Sequence, residues 1–139
     1  MKFRSFFVGI MAIATLALVA FTVPQDQKKG EPWKVPANYK SKTNTFKVDA
    51  NLLKIGKDVY NKHCRSCHGN TGTGDGPKAR NLKTHPGDFS DAKWHASVTD
   101  GEVYYMSIIG RDEMPNYESK IPDEEERWAV VAYIRSMKK

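Results

Sequence analysis

The sequence predicts an all-α protein. Three stretches, 49–63, 99–110 and 122–139, repeat their apolar residues at helical spacing. No stretch alternates polar and apolar residues as a half-buried strand does, and no internal repeat occurs. A chain of 139 residues has room for one small domain with short additions. We therefore expect about three main helices around one small core.

The N-terminal segment, 1–23, has the pattern of an export signal. Lys2 and Arg4 precede a nearly unbroken apolar run, Phe6–Val23, and Ala20 follows small and apolar residues that suit cleavage. The run is also long enough to cross a bilayer, so an uncleaved N-terminal membrane anchor is the alternative. In both cases the remainder of the chain is expected outside the cytoplasm, in the periplasm of a bacterium.

The next segment, 24–48, is predicted to be a linker. It is rich in Lys, Pro, Gln, Asn and Thr and has no helical period. It also contains Trp33, Val35, Tyr39 and Phe46. Large apolar residues favour an extended wrap that lies against the domain, and a disordered tail is the alternative.

The domain itself is assigned to residues 49–139. Asp49 is the predicted N-cap of its first helix, and Gly56 lies on the apolar face of that helix, where another helix can cross closely. Many glycines and prolines predict a long loop over 69–97.

Two further helices complete the domain. Thr99 and Glu102 form a capping box for the second helix, and Gly110 is its predicted end. The last helix is expected to begin near Pro122, where acidic residues complement the helix dipole.

Both cysteines of the chain lie in one pentapeptide, Cys64-Arg65-Ser66-Cys67-His68. Two thiols at this spacing can add to the two vinyl groups of one haem, and the following histidine can then bind the iron. The Cys-x-x-Cys-His pattern therefore predicts covalent attachment of a c-type haem through Cys64 and Cys67, with His68 as an axial ligand.

Two cysteines at this spacing also occur in three different kinds of site, each less favoured here. A thioredoxin-like redox pair requires a βαβ setting, and no strand pattern surrounds Cys64. Structural zinc usually has four ligands, but the sequence has no second cysteine pair, and His85 and His95 are scattered. A disulfide between Cys64 and Cys67 would close a very short loop and constrain little.

Met114 is the predicted second axial ligand of the iron. It lies in a charged loop and precedes Pro115, which favours an extended backbone at Met114. A thioether held in a rigid loop suits a weak, soft ligand. Met106 and Met137 fall in helical apolar patterns and are expected in the core, whereas His85 and His95 are expected at the surface.

The net charge of +6 indicates a mildly basic surface and not a nucleic-acid-binding protein. Five basic residues lie close in sequence to the Cys-x-x-Cys-His segment and are candidates for a docking rim towards acidic redox partners. They are Lys62, Arg65, Lys78, Arg80 and Lys83. Ordinary solvated side chains are the alternative.

Residues 52–137 resemble the small class I c-type cytochromes of bacteria. The matching pieces are Cys64–His68 with Gly69, the Gly74-Asp75-Gly76-Pro77 turn, Met114-Pro115, and the terminal run Trp128–Arg135. The resemblance implies a monohaem fold with His68 and Met114 as axial ligands of the iron. It also implies a hydrogen bond from His68 to the Pro77 carbonyl, and a first helix that crosses the terminal helix at Tyr133.

The resemblance further implies single-electron transfer in a bacterial respiratory chain, without a small-molecule substrate or a catalytic residue. The expected partners are redox proteins, namely a quinol-oxidising complex and a terminal oxidase or reductase, with a membrane tether possible at the N-terminus. One alternative is a haem subunit held permanently in a larger membrane oxidoreductase. Another is a haem-based sensor or peroxidase-like enzyme, which would need an open sixth position on the iron.

Overall fold

The computed structural model describes residues 27–139, so the predicted signal or anchor at 1–23 lies outside the described residues. The helices are α1 Ala37–Lys40, α2 Ala50–His63, α3 Arg65–His68, α4 Ala92–Ser97, α5 Asp100–Tyr104 and α6 Glu124–Ser136. A 3₁₀ turn spans Ala79–Asn81, and α5 continues into a π-helical turn at Tyr105–Ile109. Residues 27–139 contain no β-strand and only two isolated bridges. The all-α prediction is confirmed.

Helices α2 and α6 cross at Gly56. A Cβ atom built there would lie 2.0 Å from the carbonyl oxygen of Ala129 and 2.9 Å from the Cβ of Tyr133. One turn further along α2, the ring of Tyr60 packs against the ring of Tyr133 with centroids 5.4 Å apart. The close crossing predicted at Gly56 is present, because a residue without a side chain lets the two backbones approach.

The predicted helix caps are also present. The Asp49 carboxylate accepts hydrogen bonds from the N–H groups of Asn51 and Leu52 at 3.0 and 3.1 Å. Thr99 Oγ1 accepts from the Glu102 N–H at 3.2 Å, and the Glu102 carboxylate accepts from the Thr99 N–H at 2.8 Å. These side chains satisfy N–H groups that have no partner within their own helix.

Replacing Asp49 with alanine should destabilise the protein by about 1 kcal/mol, the usual contribution of an N-cap side chain. Chemical denaturation of the haem-loaded protein, followed by far-ultraviolet circular dichroism, measures the change. Asp58→Ala is the matched control, because Asp58 is exposed on the same helix and caps nothing. Equal stabilities of the two variants would contradict the capping role of Asp49.

The core lies between α2, α5 with its π-helical turn, and α6. Its large, fully buried side chains are Leu52, Tyr60, Val103, Ile108, Ile121, Trp128, Val130, Val131 and Ile134. Met106 and Met137 are half-buried against this cluster, as their helical spacing predicts.

The prediction of a continuous loop over 69–97 is wrong in two places. The chain forms the 3₁₀ turn at 79–81, and α4 begins after Asp91, whose carboxylate accepts a hydrogen bond from the Lys93 N–H at 2.8 Å. Segments this short show no readable apolar period, and tertiary contacts stabilise them more than helix propensity does.

Residues 27–48, here called the strap, lie against the domain. Val35 is buried, and the Tyr39 ring packs on the ring of Tyr105 with centroids 4.8 Å apart. Lys42 Nζ lies 2.5 Å from the Glu124 carboxylate at the start of α6. Residues 27–48 thus wrap against the domain as expected and not as a disordered tail, but the short helix α1 interrupts their extended course. No helix within 27–139 has both the length and the apolar character that crossing a membrane requires.

Candidate functional site

The two cysteines lie one helical turn apart at the junction of α2 and α3. Cys64 ends α2 and begins α3, and its carbonyl accepts hydrogen bonds from the N–H groups of Cys67 at 3.1 Å and His68 at 3.0 Å. Cys64 is buried and Cys67 is half-buried, and neither forms a disulfide. This turn presents two thiols and one imidazole from a single short segment.

Burial keeps the Cys64 sulfur neutral. Burial first, and then the nearby charge of Cys67, raise the pKa of the Cys64 thiol to about 12. A low-pKa thiolate such as a redox enzyme uses is therefore not formed at Cys64. A buried, uncharged sulfur at Cys64 is compatible with conversion to a thioether, which is also uncharged.

His68 is buried beside the two cysteines and is held in its neutral form. Burial first, and then the charge of His85, lower the pKa of His68 to about 4. Neutral imidazole is the form that binds a metal. The Nδ1 atom of His68 is buried and has no hydrogen-bond partner within residues 27–139. A buried, neutral ring fits an iron ligand, and the unpartnered Nδ1 is the kind of ring nitrogen from which a metal-bound imidazole usually donates to a carbonyl.

The hydrogen bond from His68 to the Pro77 carbonyl is absent in this structure. The neighbours of Pro77 do bind residues Cys64–His68, here called the attachment segment or attachment turn: the Gly76 N–H donates to the Cys67 carbonyl at 3.1 Å and the Lys78 N–H donates to the Ser66 carbonyl at 2.8 Å. The implied turn is thus fixed beside α3. The His68 ring instead stacks on Phe89, with centroids 4.5 Å apart and planes 16° apart.

Two tyrosines fix the ends of the attachment segment. Tyr60 donates a buried hydrogen bond from its hydroxyl to the Gly69 carbonyl at 2.9 Å. Tyr117 donates to the His63 carbonyl at 3.0 Å. Because these bonds come from α2 and from the segment before α6, the core positions both ends of the Cys64–His68 segment.

The prediction that His95 lies at the surface is wrong, whereas His85 is exposed as expected. His95 Nε2 lies 2.7 Å from the Phe89 carbonyl, and its Nδ1 lies 3.2 Å from Arg135 Nη1. Since the guanidinium can only donate, Nδ1 accepts and Nε2–H donates to the carbonyl. Phe89 lies six residues before His95 and Arg135 lies 40 residues after it, and no local pattern indicates either contact.

Met114 lies in the loop 110–116, here called the Met114 loop. The Tyr117 N–H donates to the Ile108 carbonyl at 2.8 Å and closes the loop. Gly110 begins it with a φ of 70°, and a Cβ there would lie 2.2 Å from the Met114 carbonyl oxygen. The Met114 side chain is half-buried, while Asp112, Glu113 and Pro115 are exposed.

The five basic residues of the predicted docking rim are all exposed. None of them forms an ion pair within the part of the chain that the structure describes. Their positive charges are therefore available to a partner.

Similar proteins share this architecture. A solved c-type cytochrome named KustC0563 aligns with a TM-score of 0.53 and 30% identity over 60% of this chain and 98% of its own. The Kuenenia stuttgartiensis reducing HAO-like protein complex Kustc0457/Kustc0458 aligns with a TM-score of 0.59 and 25% identity, over 68% of this chain and 47% of the matched chain.

A curated relative is the cytochrome bc1 complex cytochrome c subunit of Corynebacterium diphtheriae. It is 29% identical over 106 residues, which cover 73% of this chain. The chain spans about a third of that relative, 31% of its length.

Fold, attachment segment and relatives together define a c-type cytochrome. Residues 51–134 match the family described as cytochrome C oxidase, cbb3-type, subunit III, and the chain belongs to that family. The protein accordingly carries a covalently bound haem c with its iron, and it transfers electrons through that haem. The predicted class, cofactor and chemistry are confirmed.

Proposed function

We propose that the chain is a periplasmic electron carrier whose haem iron is bound by His68 and Met114. When bound, the haem supplies one iron that alternates between the ferric and ferrous states. His68 is buried, neutral and fixed in its turn, which suits a permanent ligand. Met114 offers a thioether, and a His/Met pair raises the reduction potential relative to two nitrogen ligands.

The proposal depends most on the Cys64–His68 turn, which brings two cysteine thiols and one buried imidazole together. If His68 and Met114 both bind the iron, no ligand position would be left for a substrate. The chain then serves electron transfer and not a reaction on a bound molecule.

The partners that we propose are redox proteins with acidic docking surfaces. Lys62, Arg65 and Lys78 flank the attachment turn and are exposed. Opposite charges across such an interface accelerate association and make it sensitive to salt. A quinol-oxidising complex as electron donor and a terminal oxidase or reductase as acceptor would fit this chemistry. Residues 1–23 would export the domain or tether it to the membrane.

A second candidate is a subunit held permanently in a membrane oxidoreductase. The curated relative carries the name of a complex subunit, and this chain corresponds to only 31% of its length. Purification from mild detergent separates the two candidates. A free carrier elutes alone, whereas a subunit elutes with its complex.

Replacing Met114 with leucine should abolish the long-wavelength ferric absorption band that methionine–sulfur ligation gives in c-type cytochromes. Leucine keeps the bulk of the side chain but lacks the sulfur. Absorption spectroscopy of the purified, oxidised protein measures the band. Met106→Leu and Met137→Leu are the controls and should retain it, because both side chains pack against the core. Loss of an axial ligand in His85→Ala, with Met114→Leu unchanged, would contradict the assignment.

A further inference from the structure

Arg111 joins the Met114 loop to the strap. Its Nη1 donates to the Pro32 carbonyl at 3.0 Å, and its Nη2 donates to the Glu31 carbonyl. The guanidinium also lies over the Trp33 ring, 4.1 Å from the centroid. The planar guanidinium of an arginine can donate to two carbonyls and stack on an aromatic ring at the same time, whereas the ammonium of a lysine cannot.

Glu113 joins the same loop to a second segment. Its carboxylate accepts hydrogen bonds from the N–H groups of Lys83 at 3.0 Å and Thr84 at 3.1 Å. Hydrogen bonds to an ionised acceptor are stronger than neutral ones. Arg111 and Glu113 therefore hold the residues on the N-terminal side of Met114 to two different parts of the chain.

The strap also binds that second segment, 79–85. Gln27 Nε2 donates to the Leu82 carbonyl at 2.9 Å and to the Ala79 carbonyl. The His85 N–H donates to the Lys28 carbonyl at 3.2 Å. The strap, segment 79–85 and the Met114 loop thus contact one another pairwise, and we call this arrangement the three-segment joint.

The three-segment joint continues to the attachment turn. Segment 79–85 follows directly on Lys78, whose N–H donates to the Ser66 carbonyl between the two cysteines. The turn that contains His68 is therefore linked to the Met114 loop in two steps: Ser66 binds Lys78, and segment 79–85, which follows Lys78, binds Glu113.

Burial alone does not hold the Met114 loop in place. Asp112, Glu113, Pro115 and Asn116 are exposed, and Asp112 has a φ of 49°, which is unfavourable for a residue with a side chain. Within the loop, the Met114 N–H donates to the Arg111 carbonyl at 2.8 Å. The contacts of Arg111 and Glu113 connect this loop to the strap and to segment 79–85.

We propose that Arg111 and Glu113 are positioning residues that hold Met114 on the iron by fastening its loop to the strap and to segment 79–85. The strap would then help to keep external ligands from the iron, because it holds Arg111 at the start of the Met114 loop. This inference rests on the proposed function, since it takes Met114 as an axial ligand.

Titration of the oxidised, haem-loaded protein with imidazole tests the proposal. Imidazole competes with Met114 for the iron, and loss of the methionine–iron band reports the exchange. Arg111→Ala and Glu113→Ala each remove hydrogen bonds made by a charged side chain that hold the Met114 loop in place. Because a looser loop competes less well with imidazole for the iron, the apparent affinity for imidazole should rise about tenfold in each variant. Glu113→Gln keeps an acceptor oxygen and should recover part of the wild-type resistance.

The control is Asp100→Asn, which weakens a hydrogen bond of the same kind, from Arg135 Nε at 2.7 Å, outside the three-segment joint. It should leave imidazole binding unchanged even where it lowers overall stability. Hydrogen exchange at the Met114 N–H should accelerate in Arg111→Ala and not in Asp100→Asn.

The outcomes are distinct. If the wild type shows the band and all variants bind imidazole as it does, the positioning role is overturned while Met114 ligation stands. An equal gain of affinity in Asp100→Asn would also overturn it, because a general loss of stability would then explain the effect. A wild type without the band overturns the proposed ligation and this inference together.

Discussion

Replacing Gly56 with alanine should destabilise the protein by roughly 3 kcal/mol or more, the upper part of the range for an overpacked core. The new methyl group would lie 2.0 Å from the Ala129 carbonyl oxygen and 2.5 Å from its carbon. Both atoms belong to the backbone of α6, so no side chain can move aside and the two helices must separate. Denaturation of the haem-loaded protein, followed by circular dichroism, measures the loss.

The expected loss of stability in Gly56→Ala is opposite in sign to the usual effect of this substitution in a helix. Alanine in place of glycine inside a helix normally stabilises it by about 1 kcal/mol. Asn61→Ala is the matched control, because Asn61 lies on the same helix and is exposed. We expect Asn61→Ala to be neutral or slightly stabilising. A Gly56→Ala variant as stable as the wild type would contradict the close crossing of α2 and α6.

Replacing both cysteines with serine should remove the covalently bound haem altogether. A hydroxyl does not form the thioether that joins each cysteine to the porphyrin, so any remaining haem would dissociate on denaturation. A haem stain of a denaturing gel should therefore be negative for Cys64→Ser/Cys67→Ser. The double variant should also be poorly folded, because a domain of this size depends on the cofactor to complete its small core.

Ser66→Ala is the control for the cysteine variant. Ser66 lies between the two cysteines in the same turn, and its carbonyl, which accepts the Lys78 N–H, is unaffected by the change. We expect normal staining. A double serine variant that stains as strongly as the wild type would contradict attachment through Cys64 and Cys67.

Local signals in the sequence identify the helices that carry the fold. The Asp49 cap, the Thr99 capping box and the stop at Gly110 each depend on residues within a few positions, and all three are found as predicted. The sequence also predicts the close helix crossing at position 56, because a glycine on an otherwise apolar helix face indicates that another helix packs there.

The features that the sequence does not reveal depend on contacts between distant residues. His95 is polar and lies in a glycine- and proline-rich region, yet it is buried because Arg135 and the Phe89 carbonyl satisfy both ring nitrogens. The role of Arg111 is hidden for the same reason, since its carbonyl partners lie 79 and 80 residues away. A single sequence without its structure does not show which carbonyl a guanidinium will reach.

These separations impose an order on the maturation of the protein. Lys42 lies 82 residues before its partner Glu124, and Pro32 lies 79 residues before Arg111. These two contacts need residues 111 and 124 to be in place, so we expect them to form late in folding. We expect the Cys64–Cys67 pair to be accessible to the porphyrin before these two contacts of the strap form.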